Sequence, residues 1–224
     1  MNTLMIDNDT ILGEFKNMIS QKYEHHRPRL LILLGNPSLL LRDEYRELWG
    51  DIPIVLCSEE KFIGPKDTYI YKQPVTQAER VPISQLADPY NLVLLYSNLY
   101  LRENIQLISH IIPDMKKFIF IGDEREINQT NNLEIQTKLK AINPNIEYQY
   151  ITPQKMTTNQ LLDSLYHVDP NTTGILFASW FYKTTFAGNT SLVTNAHKLI
   201  VTTTAPIFTL NMADITEETG GMIG

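Results

Sequence analysis

Short apolar runs recur along the chain, and each ends in a turn signal or in a residue that favours the start of a helix. The seven runs are Leu30–Leu34, Ile52–Cys57, Leu92–Tyr96, Phe118–Ile121, Ile146–Ile151, Gly174–Ala178 and Ile207–Leu210. Continuous apolar runs, unlike alternating ones, are typical of strands buried on both faces of a parallel sheet that helices cover. The pattern therefore predicts an α/β fold.

The positions between these runs predict the covering helices. Asp9 or Thr10 is a suitable cap for a helix that reaches about His25, and Pro37 suits the first turn of a helix that ends at Trp49. Further helices are predicted over Leu101–Ile112, from Gly122–Glu124 to Ile142, over Gln160–Val168 and over about Thr190–Val201. We expect each strand–helix–strand crossover to be right-handed.

The order of the runs indicates two lobes. An irregular stretch precedes Tyr96–Leu101, and a regular new series begins with Phe118. The last run follows the end of that series. We therefore predict a first lobe over residues 1–98, a second lobe over residues 99–205 and a return into the first lobe over residues 206–224. Ligands are expected at the loops that follow the strands, where helix N-termini present free N–H groups.

Composition places the chain among folded globular proteins, because 43% of its residues are hydrophobic and 20% are charged. The net charge is −6, and no nucleic-acid partner is expected, since phosphate binding needs a clustered basic face.

The single cysteine, Cys57, has no thiol partner in the chain for a disulfide or a zinc cluster, and we interpret it as a core residue. No apolar run reaches the roughly 18 residues that a membrane-spanning helix needs.

Signatures of common enzyme classes are missing from the sequence. It contains no Gly-x-Gly-x-x-Gly, no Gly-x-x-x-x-Gly-Lys-Ser/Thr and no Gly-x-Ser-x-Gly. The five histidines lack the spacing of a metal site, so we predict neither a metal nor a cofactor. The acidic pair Asp123-Glu124 stands at a predicted helix start, where carboxylates stabilise the helix dipole, and this role is simpler than acid–base catalysis. We predict that the chain is not an enzyme.

A binding function requires only polar and aromatic side chains at the ends of strands. The candidates by position are Asn36, Ser38, Ser58, Glu59, Ser97, Asp123, Ser179, Trp180 and Asn211. Trp180 is placed to line a crevice, and packing beneath the second lobe explains it equally well. For Asn36, Ser38 and Asp123, the competing interpretation is the capping of a helix.

Four short segments resemble one family in their order and spacing across nearly the whole chain. They are Met1–Leu4, Arg29–Asn36, Asp51–Leu56, and Ala205–Leu210 together with Gly220–Gly224. Their order resembles the type I periplasmic-binding-protein fold, in the branch related to ABC-transporter substrate-binding lipoproteins. That branch also supplies sensor domains of bacterial hybrid two-component histidine kinases. The resemblance implies two Rossmann-like lobes, with parallel sheets flanked by helices.

The family begins with a strand and a helix that would precede Met1, and it continues past Gly224. The resemblance therefore implies an excised piece of a longer protein with a truncated first lobe. It further implies a periplasmic or extracellular sensor in which a small molecule binds between the lobes and closes a hinge. Contact with a membrane is expected only through other parts of the parent protein, and a homodimer is compatible with this role. The alternatives are a free substrate-binding protein of an ABC transporter and, with less support, an intracellular α/β enzyme.

Overall fold

The computed structural model describes residues 6–187, 189–194 and 202–210. Strands β1 to β11 are Leu31–Leu34, Ile54–Ser58, Phe62–Ile63, Val81–Pro82, Leu92–Tyr96, Lys117–Ile121, Glu147–Ile151, Thr173–Phe177, Phe181–Phe186, Asn189–Thr194 and Ile207–Thr209. Helices α1 to α6 are Asp9–Lys22, Arg42–Trp49, Lys66–Ile70, Leu101–Ile111, Glu126–Ile142 and Thr158–Tyr166. Short 3-10 helices cover Asn36–Leu41, Gln77–Glu79 and Ile83–Leu86. The protein is α/β, with parallel sheets flanked by helices.

All seven predicted runs form strands, and Leu92–Tyr96 has the predicted bounds. The first helix is also confirmed, but its cap is Asn8, which precedes both predicted candidates, Asp9 and Thr10. The Asn8 side chain accepts a hydrogen bond from the backbone N–H of Ile11 at 2.9 Å. This bond satisfies one of the N–H groups that a helix start leaves without a partner inside the helix.

The region after β8 differs from the prediction. We expected a helix over about Thr190–Val201, but β9 and β10 form an antiparallel hairpin in which Asn189 is opposite Phe186. Residues 195–201 lie outside the described ranges. Aromatic and β-branched residues are frequent in both strands, and Ala187 takes the left-handed conformation (φ +49°) at the turn. The local preference for strand therefore outweighs the weak helical periodicity.

The described residues fall into two compact units, which divide between Leu99 and Tyr100. The predicted return of residues 206–224 into the first lobe is wrong for the described part of that segment. Strand β11 pairs in parallel with β8 of the second unit, with Ile207 opposite Ile175. Pairing with β8 satisfies the backbone groups of the last strand, and the order of elements in the sequence does not reveal which sheet edge is available.

In the first unit, the parallel sheet has the strand order β1-β2-β5, and β3 and β4 form a separate antiparallel pair. In the parallel sheet, each strand that follows along the chain is added on the same side of the previous strand. Right-handed crossovers therefore place the connections on one face. The inward side chains of the sheet, among them Leu33 and Leu56, pack there with Leu12 of α1 and Trp49 of α2.

The opposite face of this sheet is apolar and exposed. Ile32 and Leu34 of β1 are 63% and 77% exposed, and Val93 and Leu95 of β5 are 58% and 55% exposed. The expectation that every apolar run is buried on both faces is therefore wrong for β1 and β5. The strand order explains this exposure. When every strand is added on the same side, right-handed crossovers place all the connecting helices on one face of the sheet.

The second unit has the strand order β7-β6-β8-β11. Strand β7 is added on one side of β6, and β8 and β11 are added on the other side, so the strand order reverses between β6 and β8. Helix α6 covers one face, where Leu161 and Leu165 pack against Ile119. Helix α4 lies against the other face, because a Cβ added to Gly174 would lie only 2.7 Å from Cγ2 of Ile108. Strand β8 is buried at every position, which confirms the prediction of burial on both faces for this strand.

Candidate functional site

The candidate site lies at the carboxyl ends of β6 and β8. In open α/β sheets, ligands bind outside the carboxyl ends of the strands at the point where the strand order reverses. Asp123 follows β6 and Ser179 follows β8, each two residues past the strand end. The hydroxyl of Ser179 donates to Oδ2 of Asp123 at 2.6 Å, although 56 positions separate them in the sequence. The structure thus brings two of the predicted site residues together.

Two further side chains complete this group, and we call Asp123, Arg125, Asn128 and Ser179 the switch-point cluster. Arg125 donates to the carboxylate of Asp123 through Nε at 2.9 Å and through a terminal nitrogen at 2.8 Å. Asn128 Nδ2 donates both to Asp123 at 2.9 Å and to Ser179 at 2.8 Å. Asp123 is 0% exposed, so this pairing offsets the large free-energy cost of burying its charge.

Tyr150 of β7 fixes the backbone of the cluster. Its hydroxyl donates to the carbonyl oxygen of Asp123 at 2.8 Å, and its ring stacks on Phe120 with 5.3 Å between ring centroids. Burial raises the pKa of Tyr150, and the neighbouring Asp123 charge acts in the same direction. Tyr150 therefore stays a neutral donor at physiological pH and holds the loop after β6 in place.

The second unit contains a cavity of about 400 Å³, which we call the Trp180 cavity. Its lining residues are Pro153, Met156, Thr157, Thr158, Asn159, Trp180, Tyr182 and Lys183. Trp180 is fully buried, and its indole N–H donates to the Thr158 hydroxyl at 3.0 Å. Core packing of Trp180 is confirmed, whereas its predicted place in a crevice between the lobes stays a prediction. The volume lies in the range of about 300–1,000 Å³ that is typical of small-molecule sites.

The wall of the Trp180 cavity includes the start of helix α6. Thr157 is the cap of this helix, and it forms a reciprocal pair with Gln160, the third helical residue. A capped helix start still carries a partial positive charge. Lys183, which is exposed, adds a full positive charge on the hairpin side of the cavity.

In the first unit, Asn36 and Ser58 are also brought together. The Ser58 hydroxyl donates to Oδ1 of Asn36 at 2.6 Å, and Asn36 Nδ2 donates to Glu60 at 3.0 Å. Arg80 lies 3.8 Å from Glu60, and all four side chains are buried. The backbone N–H of Ser97 donates to the Ser58 carbonyl at 2.9 Å. We call Asn36, Ser58, Glu60 and Arg80 the first-unit cluster.

The other predicted residues lie apart from these two clusters. The Ser38 hydroxyl donates to the carbonyl of Gly35 at 2.6 Å and so stabilises the turn after β1. The Glu59 side chain is exposed, and Ser97 contributes to the first-unit cluster through its backbone only. Asn211 lies outside the described ranges.

Sequence reasoning missed Arg125, Asn128, Glu60 and Arg80. For Arg125 the sequence offers only a weak local signal, which is an arginine two positions after an aspartate at a helix start. The signal for Asn128 was stronger, because an asparagine on the buried side of an amphipathic helix requires a polar partner. Arg80 lies 20 positions after Glu60, beyond the reach of a local pattern.

Comparison of the chain with protein-family models, with curated proteins and with solved structures finds no match. Among the described helices, none combines the length and the apolar composition that crossing a membrane requires. Within the described ranges, no three His, Cys, Asp or Glu side chains are grouped so that they could hold a metal ion.

Proposed function

We propose that this chain recognises a small molecule without transforming it and serves as the sensing module of a larger protein. The observation that carries the proposal is the Trp180 cavity, which is lined by the segments that follow the carboxyl ends of β7 and β8 in the second unit. Its position agrees with the rule for ligand binding in open α/β sheets, and its size suits a metabolite.

The bonding of the switch-point cluster supports binding over catalysis. A general base needs a lone pair within reach of a substrate proton, and a serine nucleophile needs such a base beside it. Asp123, the acidic partner of Ser179, is fully buried and already accepts from Arg125, Asn128 and Ser179. These contacts hold the carboxylate in a structural role.

The sensing role is supported by the resemblance of Met1–Leu4, Arg29–Asn36 and Asp51–Leu56 to sensor domains of hybrid two-component histidine kinases. In such a sensor, a ligand acts because it binds one conformation more tightly than another. A periplasmic or extracellular location, a membrane-anchored parent and homodimer formation belong to the same proposal. The alternative is a free substrate-binding protein that serves an ABC transporter.

The binding proposal is tested by a thermal-shift screen with sugars, amino acids and aromatic acids. A ligand at about 100 times its Kd stabilises the folded form by about 2.7 kcal/mol and so raises the Tm. Tyr182→Ala, in the cavity wall, should weaken binding about tenfold or more, because the change removes an aromatic contact. Tyr166→Ala is the matched control, since Tyr166 is 72% exposed and lies outside the cavity.

Two results would contradict this proposal. One is equal binding by wild type and a folded Tyr182→Ala variant. The other is recovery of the ligand as a chemically changed product after incubation with the protein, which would favour the enzyme alternative. The reading frame around the gene separates the remaining roles. A downstream membrane span and kinase support the sensor, whereas a lipoprotein leader and an early stop codon support the transporter.

A further inference from the structure

The first unit contains a second cavity that no step of the proposed function uses. Its volume is about 480 Å³, and segments from α1, from α2 and from the connection between β2 and β5 enclose it. We call it the first-unit cavity. Like the Trp180 cavity, it lies within the range of about 300–1,000 Å³ that small-molecule sites occupy.

The apolar part of its lining is aliphatic. It consists of Leu12, Leu40, Ile63, Pro65, Val81 and Leu86. None of the residues that line this cavity is aromatic, in contrast with Trp180 and Tyr182 in the second unit. Aliphatic side chains favour an aliphatic ligand body through burial of apolar surface, and they offer no ring on which a planar ligand could stack.

The charged part of the lining is balanced. It consists of three basic and three acidic residues, Lys16, Arg42, Lys66, Asp43, Glu44 and Glu79. Lys16 of α1 is ion-paired with Glu44 of α2, and Lys66 of α3 is ion-paired with Asp9 of α1. A charged ligand would have to compete with partners that the protein already supplies, so the balance favours an uncharged ligand.

Two residues in this wall carry buried polar atoms that make no hydrogen bond within the protein, Nε of Arg42 and Oε2 of Glu44. The first is a donor and the second is an acceptor. A buried polar atom without a partner costs about 1–3 kcal/mol, but each of these two atoms exposes less than 1 Å², so a ligand in the cavity does not reach them. The choice of ligand therefore depends on the size, the aliphatic lining and the charge balance of the cavity.

From the size, the aliphatic lining and the charge balance, we infer that the first-unit cavity is a binding site for an uncharged aliphatic molecule. The site is independent of the Trp180 cavity, so the failure of either proposal leaves the other intact. Binding there joins α1, α2 and the β2–β5 connection around one ligand.

Cyclohexanol is the probe for this inference, with cyclohexanecarboxylate and cyclohexylammonium as charged analogues of similar shape. Chemical shifts of methyl groups in the full chain are followed by NMR during titration. We expect saturable shifts with cyclohexanol and binding at least about tenfold weaker with either charged analogue, because each buries an unpaired charge. Equal binding of an analogue, or the absence of saturation with cyclohexanol, would overturn the inference.

Val81→Trp places an indole at the cavity, where Val81 is 41% exposed, and should weaken cyclohexanol binding about tenfold or more. Val93→Trp is the matched control, because Val93 is 58% exposed on the open sheet face of the same unit. Unchanged binding by a folded Val81→Trp variant would contradict the site. Wild-type protein gives a further measurement, since intermolecular NOEs are expected from cyclohexanol to the methyl groups of Leu40 and Ile63, and their absence would also overturn the inference.

Discussion

The two parallel sheets of this protein are built from similar apolar strands but differ in how they are covered. In the first unit, the order β1-β2-β5 advances in one direction, and the helices gather on one face. In the second unit, the order reverses between β6 and β8, and helices cover both faces. The difference shows that strand order, together with right-handed crossovers, decides which apolar side chains are buried.

The same comparison applies to the polar clusters at the carboxyl ends of the strands. Each cluster contains an asparagine, a serine, a carboxylate and an arginine. In the second unit, Asp123 is at the centre and its pairing with Arg125 is close, whereas in the first unit Asn36 is central and the Glu60–Arg80 separation is 3.8 Å. Only the second cluster lies at a reversal of strand order.

The largest expected effect compares two strand isoleucines, one in the central strand β6 and one in the edge strand β1. Ile119→Ala in β6 should lower the free energy of unfolding by about 2–5 kcal/mol, because Ile119 is 1% exposed and its removal leaves a cavity. Ile32→Ala in β1 should change it by no more than about 0.5 kcal/mol, because Ile32 is 63% exposed. Urea unfolding followed by circular dichroism measures both. A cost for Ile32→Ala as large as that for Ile119→Ala would break the comparison, since it would require a covered face.

A second pair of substitutions compares two glycines. A Cβ at Gly174 in β8 would lie 2.6 Å from the sulfur of Met115 and 2.7 Å from Cγ2 of Ile108, so Gly174→Ala should destabilise the protein by about 1–3 kcal/mol. Gly13 in α1 has no neighbour within 4 Å of such a Cβ, and Gly13→Ala should stabilise by about 0.5–1 kcal/mol because alanine favours the helix. Thermal unfolding of both variants measures the sign of each change in stability. A neutral Gly174→Ala would mean that α4 packs loosely on the second sheet.

The smallest expected effect concerns the charges that hold the helices of the first unit on its one covered face. Hydrogen bonds from Lys66 and Tyr71 hold the pKa of Asp9 below its usual value of 3.8. A lowered carboxyl pKa stabilises the fold fully above the unfolded-state value, and this contribution is lost as the pH falls through the lowered value. Asp9→Asn should therefore be less stable than wild type at neutral pH, and the two should converge as the pH falls below the usual carboxyl range.

The Asp9 prediction is measured by urea unfolding at a series of pH values, with Asp88→Asn as an exposed aspartate control from the same unit. A stability difference between wild type and Asp9→Asn that stays constant from neutral to acidic pH would contradict the proposed role of the charge. Such a result would assign the difference to the geometry of the side chain alone.

Much of the fold could be predicted from the sequence because strand identity is a local property. The continuous run Leu92–Tyr96 and the helix with its apolar stripe after Asn8 are both encoded within a few neighbouring residues. The hairpin after β8 was missed because the helical and strand patterns compete there within a dozen residues or so. Asn8 itself differed from the predicted cap by a single position, the usual precision of a boundary.

The candidate site was predictable in its residue types but not in its pairings. Placing polar residues at strand ends singled out both Asp123 and Ser179, as well as Asn36 and Ser58. The partners Arg125 and Asn128 were missed, because their role depends on how α5 is oriented toward the end of β6. A hydrogen bond across 56 positions follows only when β6 and β8 are neighbours in the sheet.

By itself, the sequence determined that seven apolar segments form strands and that polar residues stand at their ends. The tertiary structure decided that β8 is buried on both faces while β1 is not, and that the last strand joins the second sheet. The physical reason is that strand formation depends on neighbouring residues, whereas burial and pairing depend on which strands are adjacent in space. That adjacency is set by the handedness of crossovers and by the open sheet edges, which no short segment encodes.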